Sequence, residues 1–318
     1  MIATPFINIE RKTLSQHILK LILGLVFVVS AVLKMADMDK FEIYIYSYHF
    51  FSLNFSFLVA RAAIIAELVL GIGLISQCFH KLMWWGSVLM LVGYTGLLVY
   101  ALVLGRTDNC HCFGDYLRFN PWQSIIKNLV LMGLFALISK VKSWRFKHDV
   151  IALAVVVLGC SATVFAVSPP DNFTPSYDPS HDLNQELFIE TIQQPPLDAF
   201  NLMEGKKVVA LFSSGCEYCK MTAQKLSLMQ RFYGFPEADV LYVFMGSEEG
   251  VKKFYQESES TPYHYIIFED VINLLKISNG VFPIVVLMDQ GEIVGEYGFR
   301  NMKETELKAF FEHTNEPL

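Results

Sequence analysis

Lys207-Val-Val-Ala-Leu-Phe-Ser213-Ser-Gly-Cys216-Glu-Tyr-Cys219-Lys220 is the stretch on which the reading of this chain turns. Its first half is a short apolar run with β-branched valines, which reads as a buried strand. A helical pattern then runs to about Phe232. Two cysteines separated by two residues therefore stand at a strand-to-helix seam. A thiolate at a helix start meets free N–H groups and the positive end of the helix dipole, and both lower its pKa. Cys216, at the helix start, is the expected attacking thiol. Cys219 lies one turn in and is expected to resolve the mixed disulfide. A CxxC pair can also be half of a zinc site, but no second CxxC or His pair follows in this part of the chain, so no metal is expected.

Working outward, the surrounding sequence has an αβ order. Val240–Met245 reads as a second strand, Glu248–Glu257 as a helix, 265–268 as a strand and Val271–Leu275 as a short helix. Phe282–Asp289 and Glu292–Tyr297 form a hairpin around Gln290-Gly291, and Lys303–His313 closes the chain as a helix. Upstream, Ser168-Pro-Pro-Asp-Asn-Phe-Thr-Pro-Ser-Tyr-Asp-Pro-Ser180 holds four prolines and cannot continue a helix. It reads as an extended tether of about 30–40 Å at roughly 3 Å per residue. A tether of that kind keeps the effective concentration of a linked module high.

Before the tether the composition changes. The 318-residue chain is 53% hydrophobic, with a net charge of −6. Residues 1–170 carry 14 Lys/Arg against 8 Asp/Glu, and residues 171–318 carry 11 against 23. Five apolar runs approach the roughly 20 residues that cross a bilayer: Leu14–Lys34, Phe55–Cys78, Leu82–Leu104, Trp122–Ser139 and Val150–Val167. The first is too long, and is followed by too poor a cleavage site, to be a removed signal peptide. Arg11, Lys12, His80, Lys81, Lys140, Lys142, Arg145 and Lys147 mark one side of the membrane. The other loops dilute Lys40, Arg106 and Arg118 with acidic residues. The positive-inside rule then places the N-terminus in the cytoplasm and the acidic half outside. An acidic soluble half and membrane-flanking lysines give no footprint for nucleic acid.

A second cysteine motif, Cys110-His111-Cys112-Phe-Gly-Asp115, falls in the loop between the third and fourth runs, on the same outer side. A disulfide across one intervening residue departs from relaxed geometry and is easily reduced, which suits exchange. His111 either assists thiolate formation or is a water-exposed spacer. Cys78 and Cys160 lack close partners and read as small apolar residues. Glu67, near the middle of the second run, is costly as a lone charge. Either it pairs with Lys34 or Arg61 as a structural group, or it relays protons to the thiols. The aromatic run Phe41–Phe57 reads as an interfacial belt or a short amphipathic helix.

Two resemblances follow from these residues. Residues 200–315, with strand, CxxC at a helix start and Gly280-Val-Phe282-Pro283 opening a hairpin, resemble periplasmic thioredoxin-like domains. In that family the proline is cis and lies beside the CxxC, which implicates Pro283 and its neighbour Phe282. This chain departs from the cytosolic pattern in Gly215, Glu217 and Tyr218. The first four runs resemble the DoxX/MauE membrane family, the MauE branch being named for methylamine utilisation. Gly24-Leu-Val-Phe-Val-Val-Ser-Ala-Val-Leu-Lys34, Phe41, Ala66-Glu-Leu-Val-Leu-Gly-Ile-Gly73, Cys110-His-Cys-Phe-Gly114 and Lys127-Asn128 carry it.

The resemblances imply a multi-domain chain: a four-helix membrane bundle over 1–141, a fifth transmembrane helix over 142–168, a Pro-rich linker over 169–185 and an α/β thioredoxin-fold domain over 186–318. They imply a thiol–disulfide oxidoreductase of the bacterial inner membrane, with its thioredoxin-like domain periplasmic. Cys216–Cys219 would act on exported thiol or disulfide clients and Cys110–Cys112 would reset that pair, with His111, Glu67 and Lys34 in support. No covalent cofactor is expected. The likeness to DsbB-type membrane oxidoreductases implies a quinone as electron acceptor. The alternatives are an outward reductant path and a non-enzymatic maturation factor for amine dehydrogenase-type assembly or metal handling.

Overall fold

In the computed structural model the described residues are 5–77, 79–106, 110, 114, 119–139, 149–170 and 183–312. The chain divides into two compact units: Met1–Tyr48 with Phe55–Pro169, and Pro170–Leu318 with the short stretch His49–Asn54. The basic loop 140–147 and most of the proline tether lie outside the described residues, as do Cys78, His111 and Cys112.

The first unit is helical: α1 Pro5–Ala36, α2 Met38–Tyr46, α3 Leu53–Ile75, α4 His80–Val103, α5 Pro121–Leu137 and α6 Asp149–Val167. Among the described residues, four segments are long and apolar enough to cross a membrane by length and composition: Leu14–Ala36, Leu53–Ile75, His80–Val103 and Val150–Val167. Their outward faces expose large apolar side chains such as Trp85, Leu89, Val150 and Leu158, a surface suited to lipid. The expected fourth crossing, Trp122–Ser139, falls on helix α5. Its 17 residues span about 25 Å at 1.5 Å per residue, at the short end of the range of about 17–25 residues that cross a bilayer. It packs against α4 and α1. Where α1 and α3 cross, a Cβ on Gly24 would lie 2.8 Å from the Gly71 carbonyl oxygen, and one on Gly71 would lie 2.9 Å from that of Gly24. Small residues at such crossings let helix backbones touch, which is how membrane helices gain dispersion contact without a hydrophobic drive.

Two ion pairs are buried inside this unit among the described residues. Glu67 bonds Lys34, the first of the two partners considered, and Ser30 bridges them: Lys34 Nζ donates to Ser30 Oγ at 3.0 Å, and Ser30 Oγ donates to Glu67 Oε2 at 3.2 Å. Arg61 instead pairs with Glu42 of α2. It also donates to the Ser168 and Pro169 carbonyls at 2.8 and 3.0 Å, where α6 has run out of intrahelical donors. The stretch expected to be an interfacial aromatic belt begins with this short helix α2, whose Phe41, Ile43 and Tyr46 are buried, while Phe50, Phe51 and Phe55 are exposed. Cys160 is buried beside Ala31, Ala60 and Val164.

The second unit is a five-stranded sheet with helices: α7 Gln185–Ile192, β1 Lys206–Ser213, α8 Glu217–Tyr233, β2 Val240–Met245, α9 Glu248–Ser258, β3 His264–Ile267, α10 Val271–Ile277, β4 Ile284–Asp289, β5 Glu292–Tyr297 and α11 Glu304–Glu312. Strand order is β3-β2-β1-β4-β5. β1 is parallel to β2 (Val208 opposite Val240) and antiparallel to β4 (Val209 opposite Val286). Val208–Phe212 are buried without a break because the strand is central and covered on both faces. Phe212, Tyr242, Phe244 and Phe254 form an aromatic cluster on one side of it. Each such side chain contributes roughly 1.5–3 kcal/mol by burial. The hairpin turn at Gln290-Gly291 takes positive φ at both residues, 51° and 84°, as a tight hairpin requires. This is the thioredoxin-type arrangement. Helix α7 was not anticipated from the sequence; Asn184 caps it and Phe188 and Ile192 bury its apolar side.

Candidate functional site

Cys216 is the N-cap of α8, with extended backbone at φ −82°, ψ 122°. Its Sγ accepts the Cys219 N–H at 3.3 Å and lies 3.9 Å from the Phe282 carbonyl oxygen. The Phe282–Pro283 peptide is cis. Cys216 is half-buried and Cys219 fully buried. The two thiols therefore separate in acidity. A hydrogen bond from the Cys219 side chain, together with the Cys219 and Tyr218 N–H groups, overcomes burial and brings Cys216 from 9.0 down to about 6. Burial above all pushes Cys219 far above the usual thiol range. At pH 7 Cys216 is mostly thiolate, the form that attacks.

A groove of about 250 Å³ lies beside these residues, lined by Tyr218, Phe282, Pro283, Tyr297, Phe299 and Arg300 among others. Tyr218 and Phe299 pack at 5.2 Å between ring centroids. Arg300 lies over both rings, at 5.5 and 5.6 Å. Lys225, buried in α8, holds the groove from behind by donating to the Phe299 carbonyl at 3.0 Å. Sequence reading missed these residues, because Tyr218 and Arg300 are 82 positions apart and meet only through the sheet.

In the helical unit, Cys110 is 3% exposed and packs with Leu98 and Ile125. Its N–H donates to the Phe119 carbonyl at 3.1 Å, closing the motif's loop. Its Sγ is 2.7 Å from Ser124 Oγ. Gly114 has φ +61°, and a Cβ there would meet the Asp37 carboxylate and lie 2.9 Å from the Leu33 carbonyl oxygen. Only glycine fits so close an approach. The loop then passes into α5 through a capping box: Asn120 Oδ1 accepts the Gln123 N–H, Gln123 Oε1 accepts the Asn120 N–H, and Pro121 occupies the first turn. That box fixes where Ser124 stands. Asn120-Pro-Trp-Gln123 is a legible start signal that sequence reading passed over.

The cysteine motif and its helical frame can be set against known proteins. Residues 12–141 match the family described as Methylamine utilisation protein MauE. Residues 12–141 form a MauE-family domain. The chain is similar to Protein TlpB of Flavobacterium psychrophilum, 26% identical over 305 residues that cover 80% of this chain and 82% of that protein. A thioredoxin domain of a thiol-disulfide oxidoreductase from Bacteroides vulgatus matches at 22% identity and a TM-score of 0.29, covering 38% of this chain and 84% of that one. A thiol:disulfide interchange protein from Bacteroides sp. matches at 20% identity and a TM-score of 0.28, covering 37% and 80%. The chain thus joins a helical part that matches the MauE family to an α/β part that carries the CxxC pair at a helix start.

Of the sequence-predicted site residues, the thioredoxin-like domain brings together Cys216, Cys219, Phe282 and Pro283. The MauE domain brings together Lys34 and Glu67, which line a cavity of about 30 Å³ with Ser30, Tyr94, Lys127 and Asn128. Cys110 is described, while His111 and Cys112 lie outside the described residues. Among the described residues no cluster of three or more His, Cys, Asp or Glu side chains is placed to hold a metal.

The acidity of Cys216 gives a direct measurement. Alkylation of the reduced protein by iodoacetamide at this residue should rise with pH through a midpoint near 6. A midpoint near 9 would mean that Cys216 is an ordinary thiol.

Proposed function

We propose that the chain oxidises exported proteins by thiol–disulfide exchange, with Cys216–Cys219 facing the client and Cys110–Cys112 resetting that pair. The observation that carries the reading is the asymmetric thiol pair: Cys216 is acidic and half-exposed beside an apolar groove, and Cys219 is buried behind it. A client thiolate attacks the Cys216 sulfur, the Cys216–Cys219 bond breaks, and its electron pair goes to Cys219. A second client thiolate then attacks the mixed disulfide and releases Cys216 as thiolate. Two electrons and the reduced pair remain on the thioredoxin-like domain. Cys216 passes them on by attacking the Cys110–Cys112 disulfide.

The acidity of Cys216 supports the oxidising direction. A depressed thiol pKa stabilises the reduced form, which makes the disulfide the stronger oxidant. That stabilisation is full above the ordinary thiol value and is lost as pH falls through about 6. The two electrons delivered to Cys110–Cys112 would then pass to a lipid-soluble acceptor of the quinone class.

The purified full-length protein in lipid nanodiscs, given a dithiol peptide and a short-chain quinone, should oxidise the peptide with turnover. Reduction of a disulfide peptide without dithiol oxidation would favour the outward reductant path. No turnover in either direction would favour a non-enzymatic maturation factor. We further propose an N-terminus in the cytoplasm and both cysteine pairs outside, of a bacterial inner membrane. An impermeant maleimide should then label Cys110, Cys112, Cys216 and Cys219 in reduced intact spheroplasts. Labelling only after lysis would overturn that topology.

A further inference from the structure

The residue that follows the attacking thiol is an acid. Glu217 opens α8 directly after Cys216, where a carboxylate suits the positive end of the helix dipole. Beside a thiolate it has the opposite effect, because like charges disfavour the ionised form. Glu217 is the charged side chain whose field pushes the Cys216 pKa up, against the hydrogen bonds that bring it down. An acid at this position works against the nucleophile unless its charge is met elsewhere.

Lys220 meets it. This residue follows Cys219 and is 8% exposed. Its N–H donates to the Cys216 carbonyl at 3.2 Å, which closes the first turn of α8. Its Nζ lies 2.8 Å from Glu217 Oε1 and 2.6 Å from Glu257 Oε2 of α9. Burial works against the Lys220 charge, but the hydrogen bonds to Glu217 and Glu257 outweigh it and raise its pKa. The ammonium group therefore keeps its charge wherever Cys216 titrates. Lys253 of α9 lies 3.7 Å from the second oxygen of Glu257. The tie thus runs from the start of α8 to α9, two helices that pack on each other. The other titratable groups around the site, among the described residues, are Cys219 and Tyr218 of α8 and Glu296, Tyr297 and Arg300 along the groove.

We infer that Lys220 is a positioning residue for the attacking thiolate: it neutralises Glu217 and, through Glu257, ties that carboxylate to α9, so that Cys216 ionises beside a compensated charge. The inference rests on the reading of Cys216 as the attacking thiol. Lys220 touches no reacting atom and acts through Glu217. Without its ammonium group, the Glu217 carboxylate would stand uncompensated next to the sulfur. The Glu217 side chain is 58% exposed, so water screens part of that repulsion and the effect is modest in size. Its sign is fixed: losing Lys220 makes the thiolate less stable and the Cys216–Cys219 disulfide a weaker oxidant.

The test is the pH profile of iodoacetamide alkylation at Cys216, read by peptide mass spectrometry on the reduced full-length protein in nanodiscs. Lys220→Met should raise the midpoint by about half a unit, which slows the reaction roughly threefold on the acid side of the profile. Lys220→Arg keeps the charge and should hold the wild-type midpoint. Glu217→Gln should move the wild-type midpoint little, yet should return Lys220→Met most of the way to it. That non-additivity reports action through Glu217, since lost packing around Lys220 is not repaired by a change at an exposed side chain. An unshifted midpoint in Lys220→Met, or equal shifts from Glu217→Gln in both backgrounds, would overturn the inference and leave Cys216 as the attacking thiol. A wild-type midpoint near 9 would overturn the reading of Cys216 and the inference with it.

Discussion

Replacing Cys216 by serine should lower exchange with a client peptide by several orders of magnitude, while replacing Cys219 should convert the protein into a trap. The two outcomes follow from one geometry. Cys216 is the half-exposed thiol whose value is brought down to about 6, so its removal takes away the only thiolate that reaches the groove side of α8 among the described residues. A hydroxyl in its place is not ionised at neutral pH and does not replace it. Cys219 is fully buried and raised in pKa by that burial. It is the leaving group when a client thiolate attacks Cys216, and the resolving thiol when Cys216 attacks a client disulfide. Cys219→Ser should therefore accumulate client adducts on Cys216, visible on non-reducing gels and assignable by mass spectrometry. Adducts that collect on Cys219 in the converse variant, with Cys216→Ser still active, would reverse the roles.

The second large effect lies in the membrane. Lys34→Met alone should destabilise the MauE domain by about 3–5 kcal/mol, because it leaves a buried carboxylate without its counter-charge. Both partners are 4% exposed, so water does not substitute for the lost ammonium group. Lys34 also lies over the Tyr94 ring at 4.9 Å, a contact that methionine keeps only in part. The double variant Lys34→Met/Glu67→Met removes both charges and should recover most of the loss, since replacing a whole buried pair by apolar groups is often neutral. Unfolding of the detergent-solubilised full-length protein by added dodecyl sulfate reads both. If the single variant is no less stable than the double, the pair does not hold α1 to α3.

Periodicity and punctuation made much of the fold legible. Val208–Phe212 followed by Ser, Gly and CxxC located β1 and the start of α8 within a residue, because a buried strand and an N-cap each leave a local signature. Long apolar runs located the membrane helices, because a bilayer demands about 20 apolar residues. At α5 the same signal is shorter, 17 residues between a capping box at Asn120 and a stop at Ile138. Helix α7 escaped the reading: eight residues with only a few apolar positions carry too little periodicity to stand out from a polar stretch.

The sequence by itself determined the order of the two domains and the two cysteine motifs they carry, since these depend on local chemistry and spacing along the chain. The tertiary structure decided which charges meet: Glu67 with Lys34 of α1, and Arg61 with Glu42 and the end of α6. It also decided that Cys110 is buried against Ser124, and that Tyr218 and Arg300 share a groove wall. Those outcomes turn on which faces of distant helices and strands pack together. A buried ion pair, or a hydrogen bond to a sulfur, costs or contributes free energy only once packing has removed the water that would otherwise satisfy both partners equally well.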